Sequence, residues 1–206
     1  MKFRDIAVLC LAIPLAGCGL TEGEGGGSQV DRAILNMNME EAARRADGIL
    51  ADTLGSVKPG VEWTHHVSTD GSCADGEHGA TGTGQVTRRV AVMTVISEER
   101  RGSFLGVIER FWKKSGYRVL AVRGDQESPA IFVETPDGFR INLTFGYKGQ
   151  AFFDADTPCV EESPVPPPST EPNGPDYSGG KIPTPNRRSD FWSASSPVPS
   201  GLPAGK

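Results

Sequence analysis

The sequence predicts an α+β domain: an antiparallel sheet of about six strands with two helices packed on one face, in the order α-β-β-α-β-β-β-β. Two stretches, residues 38–54 and 97–115, repeat apolar residues every three or four positions, as amphipathic helices do. Shorter segments alternate apolar and polar residues or are rich in β-branched residues, as half-buried strands are. These patterns all fall within residues 36–160, which we predict to be the globular domain.

Residues 1–17 have the profile of a lipoprotein signal peptide. Lys2 and Arg4 precede an apolar stretch that is too short to span a bilayer as a mature helix. The Leu-Ala-Gly-Cys run ending at Cys18 resembles the bacterial lipobox, whose cysteine is thioether-linked to diacylglycerol and becomes the first residue of the mature protein. The resemblance implies a lipid anchor at Cys18 on the extracytoplasmic face of the cell membrane. The alternative is an ordinary signal peptide with a chance cysteine.

The first helix follows a flexible tether. Residues 18–35 are rich in Gly, Glu, Ser and Thr and predict the lipidated tether. Asn38 can cap the helix that follows, because Glu41 stands three residues later as in a capping box. The apolar face of this helix consists of Met39, Ala42, Ala43, Ala46, Ile49, Leu50 and Leu54.

Two strands and a loop are expected next. Residues 61–67 alternate apolar and polar, and residues 86–96 are rich in β-branched side chains, so we expect an antiparallel pair. The glycine-rich residues 70–84 between them predict a long loop.

The second helix is expected to begin after Ser97, which can cap it, with Glu98 and Glu99 in the favoured first turn. Gly116 ends it. Its buried stripe consists of Phe104, Leu105, Ile108, Phe111 and Trp112.

After Gly116 apolar residues recur at every second position, which indicates a meander of strands with one solvent-exposed face. The expected strands are residues 117–122, 130–135, 139–145 and 150–155. Residues 135–138 have the composition of a tight turn.

Residues 161–206 are crowded with Pro, Gly and Ser and predict a mostly disordered tail. Phe191 and Trp192 are out of place in such a segment. They either dock on the surface of the domain or form a linear motif for another protein, and docking is favoured because it needs no partner.

The chain has four cysteines. Cys10 lies in the signal and Cys18 is assigned to the lipid, so Cys73 and Cys159 are left as a pair that is expected to oxidise outside the cytoplasm. A metal or redox site is the alternative, but it lacks the Cys-x-x-Cys spacing typical of such sites.

His65, His66 and His78, with Asp75 and Glu77 nearby, are the candidate metal ligands. Adjacent histidines in a strand point to opposite faces, so one of the pair at most can join His78 on a common ion. The sequence favours a structural or solvated role, and we assign no metal ligand.

No catalytic signature is present. The chain contains no Gly-x-Ser-x-Gly nucleophile elbow, and its glycines match no phosphate-binding pattern. We therefore assign no catalytic residue and no cofactor, and favour a protein that is not an enzyme. The net charge of −5 also argues against nucleic-acid binding, which needs a dense basic surface.

Two further groups are ambiguous. A basic set either faces anionic lipid or is a solvated surface, and an aromatic set either lines a ligand pocket or belongs to the core. The second interpretation, a solvated surface for the basic set and core packing for the aromatic set, is favoured. The basic set is Arg88, Arg89, Arg100, Arg101, Arg110, Lys113 and Lys114, and the aromatic set is Trp63, Trp112, Tyr117 and Phe132.

Residues 92–102 and 111–117, with Cys73 before them and residues 150–159 after them, resemble an actinobacterial (Streptomyces-type) lipoprotein family of unknown function. The resemblance implies an exported lipoprotein and no particular chemistry. We therefore expect a membrane-anchored binding or accessory module of the cell envelope, whose partner is an envelope protein or a small ligand. The alternative function is a small extracytoplasmic enzyme or metal-binding protein that uses His65 or His66 with His78.

Overall fold

The computed structural model describes residues 37–75, 79–177 and 181–196, which form an eight-stranded antiparallel sheet with two α-helices. The α+β prediction is confirmed. The predicted signal peptide at residues 1–17, Cys18 and most of the predicted tether lie outside the described residues. Within the described residues, no helix has the length and apolar content needed to cross a membrane.

Helix α1, Met39–Gly55, begins at the predicted capping box. The Asn38 Oδ1 atom accepts a hydrogen bond from the Glu41 amide at 3.0 Å, and the Asn38 amide donates to Glu41 Oε2 at 3.2 Å. These bonds satisfy two amides that a helix start would otherwise leave unpaired.

The predicted loop at residues 70–84 is instead most of a hairpin. After the short strand β1, Trp63–His65, strands β2, Thr69–Asp75, and β3, Gly79–Val92, pair in antiparallel fashion. The sequence hides this hairpin because its strands are rich in Gly, Thr and Ala and show no apolar alternation. The hairpin adds one strand to the six expected, and a short strand at Val160–Glu161 brings the described sheet to eight.

Helix α2, Glu98–Lys114, follows Ser97 as predicted, but the Ser97 side chain does not cap it. The Ser97 hydroxyl donates instead to the Ala194 carbonyl at 2.6 Å. The start of α2 is therefore bonded to the distant C-terminal segment.

The meander comprises β4, Arg118–Arg123; β5, Ala130–Glu134; β6, Arg140–Phe145; and β7, Ala151–Asp156, followed by the short β8, Val160–Glu161. The strand order is β1-β3-β7-β6-β5-β4, and β2 and β8 also pair with β3. The long β3 therefore joins the N-terminal hairpin to the last long strand of the meander.

The predicted disulfide is confirmed: Cys73 in β2 is bonded to Cys159, just before β8. It links residues 86 positions apart in the chain. On the chain-entropy model, such a bridge stabilises the fold by about 4 to 5 kcal/mol.

Both helices and one face of the sheet share a single core. Phe104 of α2 contacts Phe153 of β7 with ring centroids 6.2 Å apart. The Trp112 indole nitrogen donates to Thr53 Oγ1 of α1 at 2.9 Å, so this buried polar atom has a partner.

The tail differs from the expectation of disorder over its described part, residues 162–177 and 181–196. These residues form no long element, but Trp192 is only 1% exposed and joins the core. Backbone bonds anchor the segment: the Gly174 amide donates to the Trp63 carbonyl at 2.9 Å, and the Val95 amide donates to the Arg187 carbonyl at 2.7 Å. Composition alone misses this order, because a few apolar side chains and many single hydrogen bonds supply it.

Candidate functional site

A cleft of about 780 Å³ lies between the β1 end of the sheet and the C-terminal segment. Its size is within the range of small-molecule sites. We call it the strand–tail cleft. It is lined by His65, His66, Val67, Ser68, Asp70, Arg88, Gln150, Phe152, Val165, Pro166, Pro167, Pro168, Tyr177, Lys181 and Ile182.

His65 stands at the end of β1, opposite Val90 of β3, on the core side of the sheet. Its Nε2 atom lies 2.6 Å from the Thr170 carbonyl, and its ring meets the Trp63 ring edge-on at 5.2 Å. His65 therefore connects the tail to the sheet.

The His66 ring lies on the opposite face of the sheet from His65. Its ring meets the Phe152 ring edge-on at 5.6 Å, and the Val67 amide donates to His66 Nδ1 at 2.8 Å. Burial lowers the pKa of His66 below its ordinary value of 6.5, the nearby Arg89 lowers it further, and Asp154 acts in the other direction. The lowered pKa favours the neutral imidazole over the protonated ring.

Arg89 and Asp154 form a bidentate ion pair beside His66. The Arg89 Nε and Nη2 atoms donate to the two Asp154 oxygens at 2.5 and 2.8 Å. The bond to Asp154 raises the pKa of Arg89, and the guanidinium lies 5.7 Å from the centre of the Phe152 ring. This pair orients Phe152 and His66 at the mouth of the cleft.

A buried ion pair forms the floor of the cleft. Arg88 Nε lies 3.1 Å from Asp47 Oδ1 of α1, and the two side chains are 3% and 2% exposed. Asp47 also accepts bonds from the amide and hydroxyl of Ser169 at 2.8 and 3.0 Å, and Arg88 Nη2 donates to the Pro166 carbonyl at 2.7 Å. Both charges are thus compensated, and both hold the tail in place.

The lining is suited to binding. Aromatic, proline and aliphatic side chains supply most of it, and a few polar groups are available to orient a ligand. One of these is the buried Ser68 hydroxyl, which has no hydrogen-bond partner in the described structure.

The structure brings His65 and His66 to the same cleft but on different faces of the strand, as the sequence predicted. His78 and Glu77 lie outside the described residues. Among those that are described, no group of three or more His, Cys, Asp or Glu side chains is placed to hold a metal ion.

Trp192 and Phe191 are docked on the domain, the arrangement that the sequence favoured over a linear motif. The Trp192 indole nitrogen donates to the Pro59 carbonyl at 2.7 Å, and its ring meets that of Phe104 edge-on at 5.1 Å. The Cζ atom of the Arg100 guanidinium lies 4.8 Å from the centre of the Phe191 ring. Trp192 is therefore not available to a partner.

The basic and aromatic sets are not assembled into sites. Arg88 and Arg100 are buried, and Arg89 is paired with Asp154, whereas the basic residues at the end of α2 are exposed. Trp63 and Trp112 are core residues, and Phe132 lies on the other face of the sheet. The core assignment therefore holds for the two tryptophans, and Tyr117 packs against the core, but Phe132 does not belong to it.

Sequence reasoning missed Phe152, Asp47 and the tail residues of the cleft. One signal was present: Asp47 lies next to Ala46 and three residues before Leu50, on the apolar stripe of α1. An acidic residue on a buried stripe indicates a buried partner. Phe152 carried no such signal, because its role depends on the neighbouring strand.

The chain has little detectable similarity to known proteins. No protein-family model matches it, and no curated protein is significantly similar. Among solved structures, a DUF4853 family protein from Actinomyces odontolyticus is similar over 69% of this chain and 79% of that chain, with 14% sequence identity and a TM-score of 0.40.

Proposed function

We propose that this chain is an extracytoplasmic lipoprotein, anchored through Cys18, whose domain is a binding module that takes a small ligand in the strand–tail cleft. The observation that carries the proposal is the cleft itself, which lies between a sheet end and a C-terminal segment bonded to a buried ion pair, and which is lined by aromatic and proline residues. Such a preformed, mostly apolar concavity is the usual form of a ligand site.

The location rests on the sequence of residues 1–18 and is compatible with the disulfide. Disulfides persist in oxidising compartments and are rare in the cytosol. A lipid-anchored module outside the membrane needs no membrane-crossing helix in its domain, because one lipidated cysteine and a tether hold it at the surface.

The ligand class follows from the lining. Phe152 and Tyr177 offer aromatic surfaces. The polar groups are those of Gln150, Ser68, Lys181 and the carboxylate of Asp70. We therefore expect a compact ligand with an apolar or ring-shaped body and a few hydrogen-bonding groups, anionic groups being favoured near Lys181.

Ligand capture tests this function. Wild-type protein released from membranes in mild detergent is analysed by native mass spectrometry, alongside Phe152→Ala and a matched control, Phe132→Ala. Both phenylalanines are half-buried on the same sheet face, but only Phe152 lines the cleft. We expect a bound small molecule in the wild type and the control, and its loss in Phe152→Ala. Equal loss in both variants, or no bound species in any sample, contradicts the proposal.

The alternative, a metal-dependent function, has one observation in its favour: His65 and His66 line the same cleft. It predicts stoichiometric zinc or a similar metal in the purified protein, and its loss in His66→Ala and in His78→Ala. Metal analysis of the same samples therefore separates the two functions.

A further inference from the structure

Strand β4 is an open edge of the sheet. It ends the strand order and pairs only with β5 among the described strands, so its outer row of backbone N–H and C=O groups faces no described strand. Five of its six residues are exposed. It lies at the opposite end of the sheet from β1 and the strand–tail cleft.

The edge also exposes apolar side chains. Leu120 is 41% exposed and Val122 is 55% exposed, and among the described residues Val67 and Tyr147 are the other large hydrophobic side chains that are similarly exposed. Leu120 has no residue opposite it in β5, because the register shifts between Val119 and Ala121. An exposed edge with apolar side chains is a template for another strand.

The segment that leads into and forms this edge is rich in basic residues, with Glu109, Asp125, Glu127 and Glu134 as its acidic neighbours. Residues 110–123 contain no Asp or Glu, although the whole chain has a net charge of −5. Lys113 is paired with Glu109 at 2.7 Å and Arg118 with Glu134 at 2.8 Å. These basic side chains are exposed, and exposed ion pairs are weak, so a partner's carboxylates can replace the glutamates. The basic residues of the segment are Arg110, Lys113, Lys114, Arg118 and Arg123.

A second copy of the same edge is a poor occupant. Antiparallel pairing of two β4 strands about their midpoint places Arg118 opposite Arg123 of the other copy, and like charges directly opposite are destabilising. A lipid surface makes less use of this edge than an extended peptide does, because it cannot pair with the outer row of backbone N–H and C=O groups as an added strand can.

We propose that β4 is a docking edge for an extended segment of a partner protein, apolar at its centre and acidic at its ends, which pairs with β4 as an added strand. Backbone bonds along residues 121–123 provide the pairing, Val122 and Leu120 contact its apolar side chains, and Arg118 and Arg123 bind its carboxylates. The proposal is independent of the ligand in the cleft.

The test uses the full chain in detergent and a fluorescent peptide of alternating valine and threonine with glutamates at both ends. We expect fluorescence anisotropy to show binding, and hydrogen exchange of residues 118–123 to slow in the complex. A peptide with lysine ends, and one with a central proline, are expected to bind at least about tenfold more weakly.

The variant Arg118→Glu/Arg123→Glu is expected to weaken binding of the acidic peptide by about tenfold or more and to favour the lysine-ended peptide. Arg44→Glu, at an exposed arginine of α1, is the matched control and is expected to bind normally. Binding that ignores the charge of the peptide ends, or exchange that is unchanged along β4, overturns the proposal. So does binding of the wild type to phosphatidylglycerol vesicles without binding of the peptide, which assigns the patch to lipid.

Discussion

At the scale of single residues, Asp47 has the widest influence on the strand–tail cleft. It lies in α1, pairs with Arg88 of β3, and accepts two hydrogen bonds from Ser169 in the tail. One carboxylate thus fixes three segments that are distant in the chain. Its removal leaves the buried Arg88 guanidinium without an anion.

We predict that Asp47→Ala lowers the free energy of unfolding by about 3 to 5 kcal/mol, the usual cost of leaving a buried charge unpaired. Urea denaturation measures the loss. The double variant Asp47→Ala/Arg88→Met removes both charges and is expected to be more stable than Asp47→Ala. A double variant that is less stable than the single one contradicts this account of the pair.

His66 predicts a pH dependence. The pKa of His66 is lowered in the folded protein. As the pH falls, the imidazole is therefore protonated near pH 6.5 in the unfolded chain, but only at a lower pH in the folded protein. The contribution of His66 is therefore fully present above pH 6.5 and is lost as the pH falls below that value towards the lowered pKa. The charged groups that face the ring are Arg89, whose pKa is raised by its bond to Asp154, and Asp154 itself.

We expect His66→Asn to remove this component, so that the variant loses less stability than the wild type between about pH 7.5 and pH 5.5. Urea denaturation at the two pH values gives the comparison. Equal losses in the two proteins would show that His66 is not the responsible group.

At the scale of elements, sequence reasoning succeeded where the signal is local. The capping box at Asn38 depends on two side chains three residues apart, and both helices carry their own apolar stripe. The β2–β3 hairpin was missed because its stability comes from strand pairing and the Cys73–Cys159 bridge. Ser97 was misassigned as a side-chain cap because its partner, Ala194, is distant in the chain.

The C-terminal segment behaves as part of the domain at its Trp192 contact. We predict that Trp192→Ala lowers the free energy of unfolding by about 3 to 5 kcal/mol, as expected for truncating a fully buried tryptophan. Phe191→Ala, at the half-buried neighbour, is expected to cost less. Thermal and urea denaturation of the two variants provide the test, and an unchanged midpoint in Trp192→Ala would show that the tail does not contribute to the core.

At the scale of the whole molecule, the sequence predicted the class of fold but not its assembly. Alternation identified the meander, yet nothing local indicates that β3 pairs with β7 or that the tail crosses the β1 end of the sheet. The cleft is made by that crossing. The sequence therefore singled out its two histidines, but not Phe152 or Pro166, Pro167 and Pro168.

The central claim is that an anchored domain presents this cleft outside the membrane. Mass spectrometry of the N-terminal peptide from membrane-extracted protein tests it most directly, with Cys18→Ser as the control. We predict a mature chain that begins at Cys18 with diacylglycerol on its sulfur, and a control that is neither lipidated nor retained in the membrane fraction. A mature N-terminus at another residue, or an unmodified Cys18 in membrane-bound protein, would contradict the claim.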